Sequence, residues 1–217
     1  MEEIEVMEDL LAENDKLAVE NRNWFKEHGV FVVELVGSPG CGKTALLEQL
    51  LKKLAPEVSL AVIEGDLYTD KDAQRLEGIG PEIFQINTGG ACHLEAAQIQ
   101  EAAFELDAAK LDLLIIENVG NLVCPASFDL GAELKITVLS VPEGNDKPLK
   151  YPALFEKAGA VIVNKIDLLP ETDFSLAEFS RDLRSLRAEV DLFEVSCTTG
   201  EGIEEVAAYL KEQIAKK

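Results

Sequence analysis

The chain contains 217 residues, which is enough for a single domain or for one domain with an appended element. Hydrophobic residues make up 47% and charged residues 28%, and this balance excludes a disordered or fibrous chain. Twenty Lys and Arg residues against 41 Asp and Glu residues give a formal net charge of −21. Because this charge repels nucleic-acid phosphates and anionic lipid headgroups, we expect no nucleic acid and no membrane among the partners.

Cysteine usage and the start of the chain bear on its cellular compartment. Four cysteines in 217 residues are too few for a disulfide scaffold, and this usage favours reduced thiols. The first segment, MEEIEVMEDLLAEND, lacks the basic start and the apolar core of a signal peptide. Since no apolar run of about 18 residues occurs in the chain, the sequence predicts a cytoplasmic protein.

The first predicted element is an amphipathic helix over residues 3–27. Its apolar stripe repeats every seven residues, at Ile4, Leu11, Ala18 and Phe25. The stripe favours packing against the helix's own domain, and the alternative is a docking surface for another protein. Because His28 and Gly29 end the helix, we divide the chain into an N-terminal helix, residues 1–28, and one domain, residues 29–217.

Apolar runs without polar alternation follow, and they are typical of strands that are buried on both faces. The predicted strands cover residues 31–37, 60–66, 83–87, 111–118, 134–141, 160–167 and 191–196. The predicted helices between and after them cover residues 43–54, 70–77, 93–109, 152–158, 175–188 and 201–215. This alternation predicts an α/β fold with a mainly parallel β-sheet and helices on both faces.

A phosphate-binding loop directly follows the first strand. The pattern G-x-x-x-x-G-K-S/T is matched by Gly37, Ser38, Pro39, Gly40, Cys41, Gly42, Lys43 and Thr44. In such a loop the backbone N–H groups and the helix N-terminus bind phosphate, Lys43 reaches the β- and γ-phosphates, and the Thr44 hydroxyl binds Mg²⁺. The alternative is a glycine-rich turn that matches by chance. Cys41 is interpreted as a small filler and not as a nucleophile.

The choice of base is indicated by residues 164–167, which resemble the N-K-x-D motif of GTP-binding proteins. The Asp167 carboxylate can accept hydrogen bonds from N1–H and the 2-amino group of guanine, which adenine lacks. Asn164 is expected to brace the loop, and the Lys165 methylenes to cover the base. Ser196 and Cys197 resemble the short loop that backs the base. These residues predict binding of GTP and GDP, and the alternative for the tetrapeptide alone is a solvated strand end.

Two acidic residues follow neighbouring predicted strands. Since ligands of an open α/β sheet lie at the carboxyl ends of its strands, Asp66 and Glu117 are expected near Mg²⁺ and the attacking water. We assign Glu117 and Asp66 to Mg²⁺, directly or through water. Asp66 is also the candidate to orient the attacking water, with Asp72 in reserve. Together with Lys43 they form the predicted catalytic set. The alternative is a solvated acidic loop, and no arginine is an obvious candidate for catalysis.

Two thiols and an imidazole fall in loops near the predicted nucleotide. Cys92 and His93 follow Thr88, Gly89 and Gly90 at the start of a predicted helix, and Cys124 lies seven residues after Glu117. This set suits Ni²⁺ or Zn²⁺, and three ligands leave one position for water, exchange or a second copy of the chain. The alternative is that both thiols are buried fillers and that His93 only starts a helix.

A family resemblance covers nearly all of residues 30–217. Its segments, in chain order, are GSPGCGKT, EGDLYTDKDA, NTGGACHLEA, ENVGNLVCPASFDLG and NKID. In these segments the chain resembles the hydrogenase nickel-incorporation GTPases, the HypB family. The resemblance implies a P-loop fold of the SIMIBI class, a cytoplasmic Mg-dependent GTPase, and a homodimer promoted by GTP. It further implies nickel delivery to the precursor of the large subunit of nickel–iron hydrogenase, alongside a small nickel-binding maturation protein.

The same resemblance makes Cys92, His93 and Cys124 metal ligands at a subunit interface. The N-terminus carries neither the Cys cluster nor the His-rich tract with which some members store nickel. The nearest alternative is a urease accessory GTPase, which typically has Cys-Pro-His where this chain has the direct pair. Two further alternatives are a GTP-regulated cofactor-assembly chaperone that handles no metal and a metal-binding module that is not an enzyme.

Overall fold

The computed structural model describes residues 2–67, 75, 76 and 78–217, with side chains from Asp9 onward. The strands in this part of the chain are β1 Phe31–Gly37, β2 Leu60–Asp66, β3 Glu82–Asn87, β4 Leu113–Glu117, β5 Leu134–Ser140, β6 Ala160–Asn164 and β7 Asp191–Glu194. They form one sheet in the order β3-β2-β4-β1-β5-β6-β7, and every pairing is parallel. The predicted α/β class is therefore confirmed.

The helices in the described residues are α1 Glu2–His28, α2 Lys43–Leu54, α3 Ala96–Glu105, α4 Cys124–Ser127, α5 Lys147–Lys150, α6 Pro152–Lys157, α7 Leu176–Leu186 and α8 Ile203–Ala215. Short 3₁₀ segments cover Ala108–Lys110, Val141–Glu143 and Ile166–Glu171. The predicted helix over 70–77 lies outside the described residues apart from residues 75 and 76. No helix in the described part of the chain is long and apolar enough to cross a bilayer.

The predicted helix over 93–109 is too long at both ends. It starts at Ala96 because Glu95 caps it, with Glu95 and Gln98 forming a reciprocal capping box. It stops at Glu105, and Asp107 then adopts a left-handed conformation with φ of 47° before the short 3₁₀ segment. Cys92 and His93 consequently lie in a loop and not on the helix.

Both faces of the sheet are covered, which explains the continuous apolar strands. On one face α2 and α8 pack on side chains such as Leu35 and Ile115. On the other, α1 and α3 pack on the side chains of β1, β2 and β4, and α6 and α7 pack on those of β5 and β6. The loops at the carboxyl ends of β1, β2 and β4 remain accessible between these layers.

The long helix α1 packs against α3 and the sheet, as its apolar stripe predicts. Ala18 and Phe25 are buried, whereas Val19 on the opposite side is 51% exposed. Two buried asparagines one heptad apart also belong to this face: Asn14 accepts a hydrogen bond from Ala96 N at 2.9 Å, and Asn21 donates to Ala96 O at 2.8 Å. No sequence pattern marks these polar contacts. The division into two units at Gly29 stays a prediction.

We expect Asn21→Ala to lower the free energy of unfolding by about 2 kcal/mol, because it removes a buried amide that donates to the carbonyls of both Ala96 and Leu130. Urea denaturation followed by circular dichroism measures the loss. The exposed Val19→Ala on the same helix is the matched control and should change stability by less than about 0.5 kcal/mol. Equal midpoints for the two variants would contradict this account of α1.

Candidate nucleotide and metal site

A cleft of about 430 Å³ lies where β1, β2 and β4 end. Predicted site residues that line it are Pro39, Gly40, Gly42, Lys43, Thr44, Asp66, Glu117 and Lys165. Residues that the sequence analysis did not select also line it, among them Glu64, Arg75, Asn118 and Gly120. The parallel strands thus bring the P-loop and both predicted carboxylates to one edge of the sheet.

The P-loop turns from β1 into α2 through glycines with positive φ. Gly42 has a φ of 98°, and a Cβ there would lie 2.3 Å from Asn164 Nδ2, so this position requires glycine. The side chain of Lys43 is largely covered, and its Nζ lies 3.3 Å from Gly37 O and 3.5 Å from Ser38 O. The lysine therefore folds back over the loop, and its ammonium group faces the space that the loop surrounds. Ser38 Oγ donates a hydrogen bond to Glu143.

Oxygen donors meet at the start of α2. Thr44 Oγ1 donates to Glu117 Oε1 at 2.8 Å, and the Glu117 side chain is 3% exposed. The Asp66 carboxylate lines the same cleft and accepts a hydrogen bond from Leu67 N at 2.6 Å. Glu64, two residues earlier on β2, is also buried there. Hydroxyl and carboxylate oxygens are the donors that a hard divalent cation such as Mg²⁺ prefers.

The residues of the N-K-x-D motif are tied to the P-loop. Asn164 Nδ2 donates to Cys41 O at 3.0 Å, and Lys165 Nζ donates to Gly40 O at 2.6 Å. Lys165 itself adopts a left-handed backbone conformation with φ of 63°. These bonds lock the position of the motif relative to the loop that would hold the phosphates.

The residues after β7 contact the N-K-x-D motif and do not line the cleft itself. Ser196 Oγ donates to Asp167 Oδ1 at 2.5 Å, and Cys197 N donates to Asn164 Oδ1 at 3.3 Å. Burial raises the pKa of the Cys41 and Cys197 thiols to about 11, so both are protonated near neutral pH. A neutral, fully buried thiol agrees with the interpretation of Cys41 as a filler.

The two predicted metal-binding segments meet in space. Cys92 Sγ lies 2.8 Å from Cys124 Sγ and 3.7 Å from His93 Nδ1, and the three ligand atoms lie within 4.8 Å of one another. The hydrogen bond between the two thiols is the main cause that raises the pKa of Cys124. Partial burial lowers the pKa of His93, so the imidazole is neutral and available as a ligand at neutral pH.

The Cys/His cluster opens into a second groove of about 560 Å³, which α1 lines with Leu10, Asn14 and Leu17. The ring of Phe128 lies against His93 with a centroid distance of 3.8 Å. This stacking holds the imidazole beside the thiols. All three residues of the cluster are partly exposed. Three donors that solvent can reach are typical of a metal site with an open coordination position, whereas structural zinc sites have four protein ligands.

One segment, residues 118–124, contacts both the P-loop and the Cys/His cluster. Asn121 N donates to Gly37 O at 3.0 Å, the same carbonyl that Lys43 approaches, and Asn121 Nδ2 donates to Cys92 O at 3.3 Å. Gly120 lies so close to Pro39 that a Cβ would come within 3.0 Å of its Cα. We call residues 118–124 the connecting segment.

Comparison with known proteins places the chain. Residues 31–194 match the family model described as CobW/HypB/UreG, nucleotide-binding domain. The hydrogenase/urease maturation factor HypB of Helicobacter hepaticus is 48% identical over 217 residues, which cover 98% of this chain and 89% of the relative. The chain belongs to the HypB family. The resemblance found in the sequence is thereby confirmed.

Two solved HypB structures share the fold. The Helicobacter pylori protein in complex with nickel has a TM-score of 0.88 and 41% identity, covering 94% of this chain and 96% of that one. The Archaeoglobus fulgidus protein has a TM-score of 0.87 and 33% identity, with 94% and 99% covered. The P-loop fold predicted for this HypB-family chain is therefore confirmed.

Several cleft residues of this HypB-family chain escaped the sequence analysis. Arg75 lines the cleft with Nη2 3.0 Å from Glu48 Oε2, although no arginine was selected. Glu64 was read as part of a strand because its neighbours are apolar. No motif marks Arg75, and Glu64 opens the segment EGDLYTDKDA without a role assigned to it. The fold brings both residues to the cleft. Asp72, the reserve candidate for orienting water, lies outside the described residues.

Proposed function

We propose that this protein hydrolyses GTP with the help of Mg²⁺ and carries nickel during maturation of nickel–iron hydrogenase. The observation that carries the proposal is the connecting segment, which joins a P-loop to a Cys/Cys/His cluster by direct hydrogen bonds. The nickel complex of the similar Helicobacter pylori HypB supports the choice of metal. In this proposal the cargo passes to the hydrogenase large-subunit precursor, with a small nickel-binding maturation protein as the second partner.

The nucleotide would lie along the cleft between the P-loop and residues 164–167. The Lys43 ammonium binds the β- and γ-phosphates, together with backbone N–H groups of the loop from Gly40 onward. Asp167 accepts the N1–H and 2-amino hydrogen bonds of guanine, and the Ser196 hydroxyl keeps its carboxylate in place. Lys165, whose Nζ is held by Gly40 O, covers the base with its methylenes.

The oxygen donors at the start of α2 fit Mg²⁺. Thr44 and Glu117 would hold it, Glu117 directly or through water, and Asp66 orients the attacking water. When bound, Mg²⁺ neutralises charge that develops on the phosphates. The burial of Glu117 beside Thr44 keeps bulk water from competing for these oxygens.

The Cys/His cluster fits nickel or zinc as cargo. Cys92, His93 and Cys124 offer two sulfur atoms and one nitrogen atom within 4.8 Å, and these donors suit both metals. Three donors leave a coordination position open, which the same cluster of a second chain or the acceptor protein fills. A homodimer that forms with GTP would place two such clusters at one interface.

Nucleotide and metal are coupled through the connecting segment in this proposal. A bound γ-phosphate would draw the Lys43 ammonium away from Gly37 O. The same carbonyl accepts a hydrogen bond from Asn121 N, so the loss of the lysine contact would alter the position of Asn121. Asn121 Nδ2 donates to Cys92 O, and the change would thereby reach the metal ligand. Thermodynamic linkage then requires metal to alter the affinity for nucleotide by the same factor. The test is to measure Ni²⁺ affinity and molecular mass with a GTP analogue and with GDP. Equal affinities together with equal masses would contradict the coupling.

We expect Cys124→Ser to weaken Ni²⁺ binding about 10- to 100-fold, because a hydroxyl replaces a thiolate in a three-donor set. The sulfur-to-metal charge-transfer absorption during a Ni²⁺ titration measures both affinity and loss of the sulfur ligand. Ser127→Ala, an exposed change on the same helix α4, is the matched control and should titrate like the unmodified protein. If the charge-transfer absorption of Cys124→Ser is unchanged, Cys124 is not a metal ligand.

A second candidate is a wider role in nickel supply. It is favoured by the Helicobacter hepaticus relative, which is named a hydrogenase/urease maturation factor. A strain without this protein distinguishes the two functions: loss of hydrogenase activity alone supports the first, and loss of both hydrogenase and urease activity supports the second. In each case added nickel should partly restore activity.

A further inference from the structure

A charged residue lies in the middle of the fully buried strand β1. Glu34 is 1% exposed, and its carboxyl group contacts two polar side chains from other elements. Asn118 Nδ2 donates to Glu34 Oε1 at 2.8 Å, and Lys135 Nζ lies 3.0 Å from Glu34 Oε2. We call Glu34, Asn118 and Lys135 the buried triad. None of its members was selected from the sequence.

Each outer member of the triad holds a backbone group next to a predicted metal ligand. Asn118 Oδ1 accepts a hydrogen bond from Leu94 N at 3.1 Å, and Leu94 directly follows His93. Lys135 Nζ donates to Pro125 O at 2.8 Å, and Pro125 directly follows Cys124. The triad therefore links the loop of Cys92 and His93 to the helix of Cys124 through one carboxyl group.

Stability alone does not explain the triad. Burial raises the pKa of the Glu34 carboxyl, although the nearby Lys135 ammonium acts in the opposite direction. The cost of removing the charges from water thus offsets much of their attraction, and replacement of a buried ion pair by apolar residues is often neutral or stabilising. An apolar replacement of this pair cannot supply the hydrogen bond from Lys135 to Pro125 O. It also removes the acceptor of Asn118 Nδ2, the side chain whose Oδ1 accepts from Leu94 N.

We propose that Glu34, Asn118 and Lys135 are positioning residues that set the separation between Cys92, His93 and Cys124 before metal binds. The inference rests on the proposed metal site and names residues that do not touch the metal. The triad attaches both segments to the buried strands β1 and β5, so that the ligands do not have to be ordered when the ion arrives. Side chains that orient metal ligands in this way are commonly worth 10- to 100-fold in metal affinity.

The test is a Co²⁺ titration of four variants, with the thiolate-to-metal absorption giving affinity and geometry and urea denaturation giving stability. Glu34→Gln keeps the shape and the bond from Asn118 but removes the ion pair. The double variant Glu34→Leu/Lys135→Met removes all charge, so that no unpaired ion is left buried. Lys135→Arg keeps the charge and the donors. Thr137→Val, on the same strand as Lys135 and without a hydrogen-bond partner for its buried hydroxyl among the described residues, is the control.

We expect Glu34→Gln and the double variant to bind Co²⁺ about 10-fold or more weakly, with an altered absorption spectrum. The double variant also leaves Asn118 Nδ2 and Pro125 O without their partners, so it should denature at a lower urea concentration. Its affinity is therefore measured without urea, after circular dichroism has shown that it is folded. Lys135→Arg should retain most of the affinity, and Thr137→Val all of it. If the double variant binds as tightly as the unmodified protein, the triad does not position the ligands. If the unmodified protein itself shows no thiolate absorption, the proposed metal site fails and the inference with it.

Discussion

Replacement of Lys43 by alanine is expected to slow GTP hydrolysis about 1,000-fold at saturating nucleotide. The ammonium group lies over the P-loop, 3.3 Å from Gly37 O. From there it can stabilise the negative charge that develops on the γ-phosphate in the transition state. Donors that are already in place for a transition state contribute far more there than in water, and the loss of one such donor costs about 100- to 1,000-fold. Single-turnover hydrolysis with excess enzyme measures the chemical step separately from product release.

The matched control is Lys52→Ala, which removes the same charge from the exposed side of the same helix α2. It should leave the rate unchanged, so that a general effect of net charge is excluded. A Lys43→Ala protein that hydrolyses GTP within about 3-fold of the unmodified rate would contradict the assignment of the P-loop lysine and favour a protein in which nucleotide has only a structural role.

Asp167→Asn is expected to weaken GTP binding about 1,000-fold and to favour xanthosine triphosphate. The carboxylate can accept two hydrogen bonds from guanine, and each bond to a charged group is worth about 1.5–3 kcal/mol. An amide presents an N–H donor to the 2-amino group of guanine, which is also a donor, but it pairs well with the 2-oxo group of xanthine. Calorimetric titration with both nucleotides measures the reversal of preference.

Asp173→Asn makes the same chemical change at an exposed position of the loop that follows the motif, and it should leave both affinities unchanged. The Ser196 hydroxyl donates to Asp167, so the asparagine oxygen can keep that bond and the loop should stay in place. Equal affinity of Asp167→Asn for the two triphosphates, with GTP binding intact, would show that the base is not read by this residue.

The proposed coupling explains why the two chemistries share one short stretch of chain. The connecting segment begins at Asn118, whose Oδ1 accepts from Leu94 N, and ends at Cys124. Movement of this segment with the state of the nucleotide would therefore reach Cys124 directly and Cys92 through Asn121. The buried triad attaches both sides of the cluster to the sheet. We therefore expect the metal ligands to switch between two defined positions with the state of the nucleotide.

Local sequence patterns predicted the α/β class, seven strands in the described residues and the P-loop setting. Those features depend on short-range physics: β-branched runs, glycines that allow positive φ, and a lysine at a helix start. The same patterns made the helix over 93–109 too long at both ends, because the Glu95 capping box starts it at Ala96 and the left-handed Asp107 lies beyond its end. The predicted strand over 160–167 is too long, because Lys165 is left-handed and a 3₁₀ segment begins at Ile166.

Only the tertiary structure decided which distant residues act together. The approach of Cys92 to Cys124, the link from Asn121 to Gly37 and the buried triad all join positions far apart in the chain. The residues next to Glu34 in sequence do not show that this charge is buried and paired. Its partners come from β5 and from the loop after β4, far away in the chain. Residue type and spacing identify single ligands and loops, but long-range packing brings them within hydrogen-bond distance, and that distance determines what the site can do.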